Sequence, residues 1–112
     1  TIDHEYAMTV LATVTSRPKP FRIITDTGKK TMSSDGAIPL PIGIDNVKSV
    51  ALSAEHGTIT LDQPSNRPKV GDKIEFVVGY SDTTVMLHDE MYGIRDGKVE
   101  VVWPVLGRGK LR

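Results

Sequence analysis

The chain contains no cysteine, a single tryptophan, two phenylalanines and three tyrosines. Without thiols, neither a disulfide framework nor a thiolate metal site is available, and a cytoplasmic setting is compatible with that composition. Charge of one sign is not in excess either. Fourteen Lys and Arg balance fourteen Asp and Glu, and no block of like charge points to nucleic acid or a membrane surface as partner. Long apolar runs are missing: the longest extend over a few residues, far short of the roughly 20 that a spanning helix needs. Thr1 is followed by neither a basic nor an apolar leader region, and a strand-like segment begins almost at once, so Thr1 is expected to be a fragment boundary. At 112 residues the chain is expected to form one domain (1–112) around one core.

What is present is a succession of strand and turn signals. Tyr6 to Thr15 is rich in β-branched and apolar residues, Arg17-Pro18-Lys19-Pro20 predicts a turn, and Phe21 to Thr25 resumes the strand pattern. Residues 29 to 47 carry Gly36, Pro39, Pro41 and Gly43 with no sustained period, which predicts the longest loop. Val47 to Ala54 and Thr58 to Asp62 flank Glu55-His56-Gly57 as a hairpin. In Lys73 to Val78, Ile74, Phe76 and Val78 share one face of a half-buried strand. Met91 to Arg95 and Lys98 to Trp103 flank Asp96-Gly97, a dipeptide suited to a type I′ turn. Between these last strands, Asp82 to Leu87 predicts a short helix capped by Ser81 or Asp82. About seven short strands with one short helix make a mostly β, small barrel-like domain or a sandwich.

Chemistry-bearing residues are sparse. His4, His56 and His88 fit no zinc signature, and the scattered glycines, Gly28 and Gly57 among them, read as turn residues rather than a phosphate loop. The densest polar stretch is Gly79 to Glu90, which collects Tyr80, Ser81, Asp82, His88, Asp89 and Glu90 on one irregular element. Such a collection suits binding or catalysis. From the residues alone a capped helix with His88 at its C-terminal end is the favoured reading, and His56 more often serves as a turn residue bonded to nearby backbone.

Read in order, these segments resemble a known family. Val10 to Pro18 (VLATVTSRP), Asp26-Thr27-Gly28-Lys29, Ser53-Ala54-Glu55-His56-Gly57, Val70-Gly71-Asp72-Lys73, Gly79 to Asp89 (GYSDTTVMLHD) and Val99 to Gly109 (VEVVWPVLGRG) resemble the C-terminal domain of D-threonine aldolases and D-serine dehydratases. Those are metal-activated pyridoxal enzymes of the alanine-racemase type. The resemblance implies that pyridoxal phosphate is carried by a lysine of an N-terminal barrel that is absent from this chain. The domain would then close the active site over a D-3-hydroxy amino acid, for aldol cleavage, dehydration or racemisation. It also implies a homodimer of the full-length enzyme.

A His-x-Asp or His-x-Cys metal motif of the family falls on Tyr80, Ser81 and Asp82, so the acidic ligand is kept while a phenol replaces imidazole, a poorer ligand for Zn or Mn. The metal set implied is Asp82, Tyr80 and His88, the last only if the helix turns its ring back. Ser81, Thr83, Thr84 and His56 are the implied substrate-closing residues. The alternatives are a structural dimerisation module and an independent small binding barrel. On this reading none of the eight lysines is the Schiff-base residue. Incubation with pyridoxal phosphate and borohydride should therefore leave no dominant adduct on a single lysine, as peptide mass mapping would show.

Overall fold

The computed structural model describes residues 4–110. Eight strands and one short helix follow in the order β1 (Thr9–Lys19), β2 (Arg22–Thr25), β3 (Leu40–Pro41), β4 (Val47–Leu52), β5 (Gly57–Leu61), β6 (Lys73–Val77), α1 (Ser81–Val85), β7 (Glu90–Arg95) and β8 (Lys98–Pro104). The domain is mostly β, as expected. Six strands form one antiparallel sheet in the order β3-β6-β1-β2-β5-β4. Its two end strands, β3 and β4, are consecutive in the chain and joined by five residues, so the sheet must curl until its ends approach. Ile42 donates to Glu75 O at 2.8 Å and Asn46 O accepts from Asp62 at 2.8 Å, which carries the connection between the two ends. The result is a nearly closed barrel.

The core follows from alternation. Val10, Ala12 and Val14 of β1 face inward with Ile23 of β2, Ile59 and Leu61 of β5, and Ile74 and Phe76 of β6. Phe76, Ile23 and Ile59 are completely buried. Ile74 and Phe76 take the inward face expected of them, while Lys73 and Glu75 are exposed.

Strand β1 departs from expectation, for it runs through Pro18 to Lys19 and the turn falls at Pro20 and Phe21 instead of Arg17 to Pro20. The pairing explains why proline is tolerated. The ladder with β6 covers Thr9 to Thr13 and is extended by bonds between Val14 and the 71–72 turn, so Pro18 has no partner needing a donor on that side. On its other side, the register with β2 shifts between Val14 and Ser16 and again between Ser16 and Lys19, the extra residues of a bulge. Arg17 completes the corner: its guanidinium donates to the carbonyls of Arg22, Pro68, Pro20 and Ser65. The long loop also holds a strand that periodicity missed, since Leu40–Pro41 is only two residues long.

Strands β7 and β8 make a separate two-stranded sheet. Asp96 and Gly97 both have positive φ, 51° and 74°, as a type I′ turn requires. This hairpin is an arm: Tyr92, Ile94, Val99, Val102 and Trp103 are all exposed, and none of its residues belongs to the barrel core. Phe76→Ala is expected to lower stability by about 3–5 kcal/mol through the cavity it leaves. Ile94→Ala on the arm should change it by less than about 0.5 kcal/mol; urea unfolding of the two variants would separate core from arm.

Candidate functional site

The polar stretch that follows β6 is shaped by a close approach of backbone. A Cβ on Gly79 would stand 1.9 Å from Ala37 O, so only glycine lets the 31–38 loop cross there. Tyr80 is extended, with φ −146° and ψ 115°, and the helix begins after it. The expected helix at Asp82 to Leu87 is thus displaced to Ser81–Val85, and the expected cap by Ser81 or Asp82 is not made. Ser81 Oγ turns to Asp82 Oδ1 at 3.3 Å instead. What fixes this end is Thr84. Its buried hydroxyl donates to Tyr80 O at 2.7 Å and accepts from the Ser33 N–H at 3.0 Å.

The helix tightens after Val85, with Leu87 and His88 donating to the carbonyls of Thr84 and Val85. That geometry sends His88 to the loop. Its Nε2 lies 2.6 Å from Thr31 O, an acceptor only, so Nε2 carries the hydrogen and donates. Residues 28–37 therefore form a strap held on both sides. Lys29 and Lys30 donate to the carbonyls of Ser53 and Ala54 in the β4–β5 turn, and Met32 is buried with the core. At the far end, Thr31, Ser33 and Ala37 meet the segment from Gly79 to His88.

The residues singled out from sequence are distributed as follows. Tyr80 and Asp82 are neighbours on the exposed rim, the phenol oxygen 3.5 Å from Asp82 Oδ2. Ser81 is exposed beside them, Thr83 Oγ1 is buried without a hydrogen-bond partner, and Thr84 points inward. His88 is held by Thr31. His56 is exposed in the β4–β5 turn, where its N–H donates to Ser53 Oγ at 3.2 Å. Next to it, Lys30 bonds Glu55 at 2.7 Å and holds that carboxyl below the usual range. Among the described residues no hydrogen bond joins His56 to α1; the strap is the connection. A groove of about 810 Å³ lies elsewhere, lined by residues such as Ile42, Asp45, Gln63, Arg67 and Lys73, and touches none of these side chains.

The donor set can be weighed against a divalent metal. Asp82 and Tyr80 offer a carboxyl and a phenol, and among the described residues no group of three His, Cys, Asp or Glu side chains stands close enough to hold an ion. Pyridoxal phosphate needs a desolvated lysine, whereas all eight here are exposed. Sequence reasoning passed over the strap, although a lone Met32 among Thr31, Ser33 and Ser34 is an apolar anchor in a polar loop. Thr84→Val should leave the part-buried Ser33 N–H without its acceptor and cost about 1–3 kcal/mol, while Thr84→Ser keeps the bond and most of the stability. Thermal unfolding, with amide exchange at Ser33, would check this.

Comparisons with known proteins agree with this architecture. The chain is 42% identical over 106 residues to the 3-hydroxy-D-aspartate aldolase of Paracoccus denitrificans, covering 95% of this chain and 27% of that protein. It is 34% identical to the D-threonine aldolase of an Arthrobacter species, covering 94% and 28%. The chain thus spans about a quarter of the length of these aldolases, at their C-terminal part. An uncharacterized protein of Mycobacterium tuberculosis is 32% identical over 115 residues and is matched over 86% of its own length. Among solved structures, D-threonine aldolase from Filomicrobium marinum superposes with a TM-score of 0.91 at 34% identity, over 99% of this chain and 30% of that one. The model of the "Putative serine dehydratase domain" matches residues 7–94, and the chain belongs to that family.

Proposed function

We infer that this domain is the C-terminal, active-site-closing part of a pyridoxal-phosphate enzyme that acts on D-3-hydroxy amino acids, by aldol cleavage in the first instance. The observation that carries the reading is the superposition of nearly the whole chain, at a TM-score of 0.91, on under a third of a D-threonine aldolase. In the reaction the 3-hydroxyl loses its proton while the Cα–Cβ bond breaks, giving an aldehyde and, once Cα takes up a proton, the shortened amino acid. Pyridoxal phosphate, when bound, supplies the electron sink for that bond. Holding it falls to the N-terminal part of the enzyme.

The contribution of this chain is the rim of Tyr80, Ser81 and Asp82. Asp82 presents an exposed carboxylate on the first turn of α1, available to accept the substrate's hydroxyl hydrogen, with the Tyr80 phenol beside it. Ser81 is exposed on the same edge, whereas the Thr83 hydroxyl is buried. Thr84 and His88 act from behind, by tying α1 to the strap. Zn or Mn at Asp82 would require further ligands from outside the described residues, and no step is routed through a metal.

A second reading is a dimerisation or binding module with no catalysis of its own, and the mycobacterial relative favours it, being little longer than this chain. The two readings separate in a domain swap, with this chain replacing the matching C-terminal part of the Paracoccus aldolase. Asp82 makes no cap bond, so Asp82→Asn and Asp82→Ala should each change stability by under about 0.5 kcal/mol. Aldol cleavage should fall by about 100-fold or more in both. Wild-type turnover in the two variants would leave Asp82 a surface residue and return the chain to the second reading.

A further inference from the structure

We propose that the β7–β8 hairpin is a docking arm, received in a groove of the enzyme's N-terminal part that covers both of the hairpin's faces. This rests on the reading of the chain as the C-terminal part of a longer enzyme. The cross-strand pairs Tyr92↔Val102 and Ile94↔Val99 make one face continuous and apolar. Its four side chains are 57%, 45%, 61% and 57% exposed, in the order named. The opposite face carries Met91↔Trp103 and Gly93↔Val101. There Gly93 has no side chain, and a Cβ at that position would stand 2.9 Å from the indole ring, so the far edge of Trp103 reaches over it while the residue is still 52% exposed.

Polar groups are confined to the ends. Arg95 pairs with Glu100 at 3.0 Å near the turn, and Tyr92 donates to Glu90 at 2.8 Å near the base. An apolar centre with a polar rim is the anatomy of an interface. Among the described residues the hairpin shares no side chain with the barrel core, and its own base is closed by Val105 N to Asp89 O and the Arg108–Asp89 pair.

Two considerations select the occupant. A twofold contact with a second copy would bury one face of four large side chains, short of the roughly 800 Å² per partner of a stable interface, and would leave the other face wet. A larger body can cradle both. The matched aldolases supply one, since about three quarters of their length lies outside the region matched here. The arm's arrangement is also preserved in such a chain, for the superposition on the Filomicrobium enzyme takes in 99% of this domain.

The test uses the chain alone and in the domain swap described above, each with and without the pair Ile94→Glu and Val102→Glu. Alone, the 112-residue chain should sediment as a monomer at micromolar concentration. The double variant should unfold within about 2 °C of it, which shows that the substitutions spare the barrel. In the swap, the same pair should speed tryptic release of the C-terminal domain at least tenfold and lower turnover in step. A dimer of the isolated chain that the double variant abolishes would assign the arm to a second copy and overturn the proposal. A swap that turns over, with release unchanged by the substitutions, overturns the arm and keeps the functional reading. A swap whose parts do not associate at all overturns both.

Discussion

The arrangement of the site depends on one constraint, the need to satisfy the backbone of a strap that has no strand to pair with. Residues 28–37 run between the β4–β5 turn and α1 with their peptide groups outside any ladder, and where such groups are shielded from water, leaving them unpaired is costly. Lys29 and Lys30 find carbonyls in the β4–β5 turn, Ser33 finds the Thr84 hydroxyl, and Thr31 accepts from His88. Met32 adds a completely buried side chain. Because those partners lie on two separate elements, satisfying the strap fixes where His56 and α1 stand. The rim residues inherit their place from it.

Gly28 and Gly57 belong to the same account. Read from sequence they were turn glycines, yet a Cβ on Gly28 would lie 2.4 Å from Ser53 O, and one on Gly57 would lie 2.7 Å from Thr27 O. Neither has a positive φ. They are there so that three backbones can pass in contact. Gly79 does the same at the other end of the strap.

Much of the barrel was legible from local signals. Alternation in Lys73 to Val78 marked the buried face of β6, and outside the barrel Asp96-Gly97 marked the turn between β7 and β8, because only a few residues accept two successive positive φ values. The misses have tertiary causes. Pro18 is accommodated within β1 because the partner strand has already ended, which no window of sequence reveals. β3 is too short to carry a period, and α1 begins directly after Tyr80, whose carbonyl accepts from the Thr84 hydroxyl, with no side-chain cap from Ser81 or Asp82. In the site, Tyr80 and Asp82 do lie together, but the direction of His88 was decided by Thr31, fifty-seven positions away.

The functional account therefore joins a rim that this chain supplies to chemistry that a longer enzyme supplies. Its central claim is that the domain completes an aldolase active site rather than merely folding beside one. The most direct measurement is glycine release from D-3-hydroxyaspartate by the Paracoccus aldolase carrying this chain as its C-terminal part, set against the same enzyme lacking that part. The account predicts release from the first and none from the second. Equal release from both, or none from a swap shown to be folded and assembled, would contradict it.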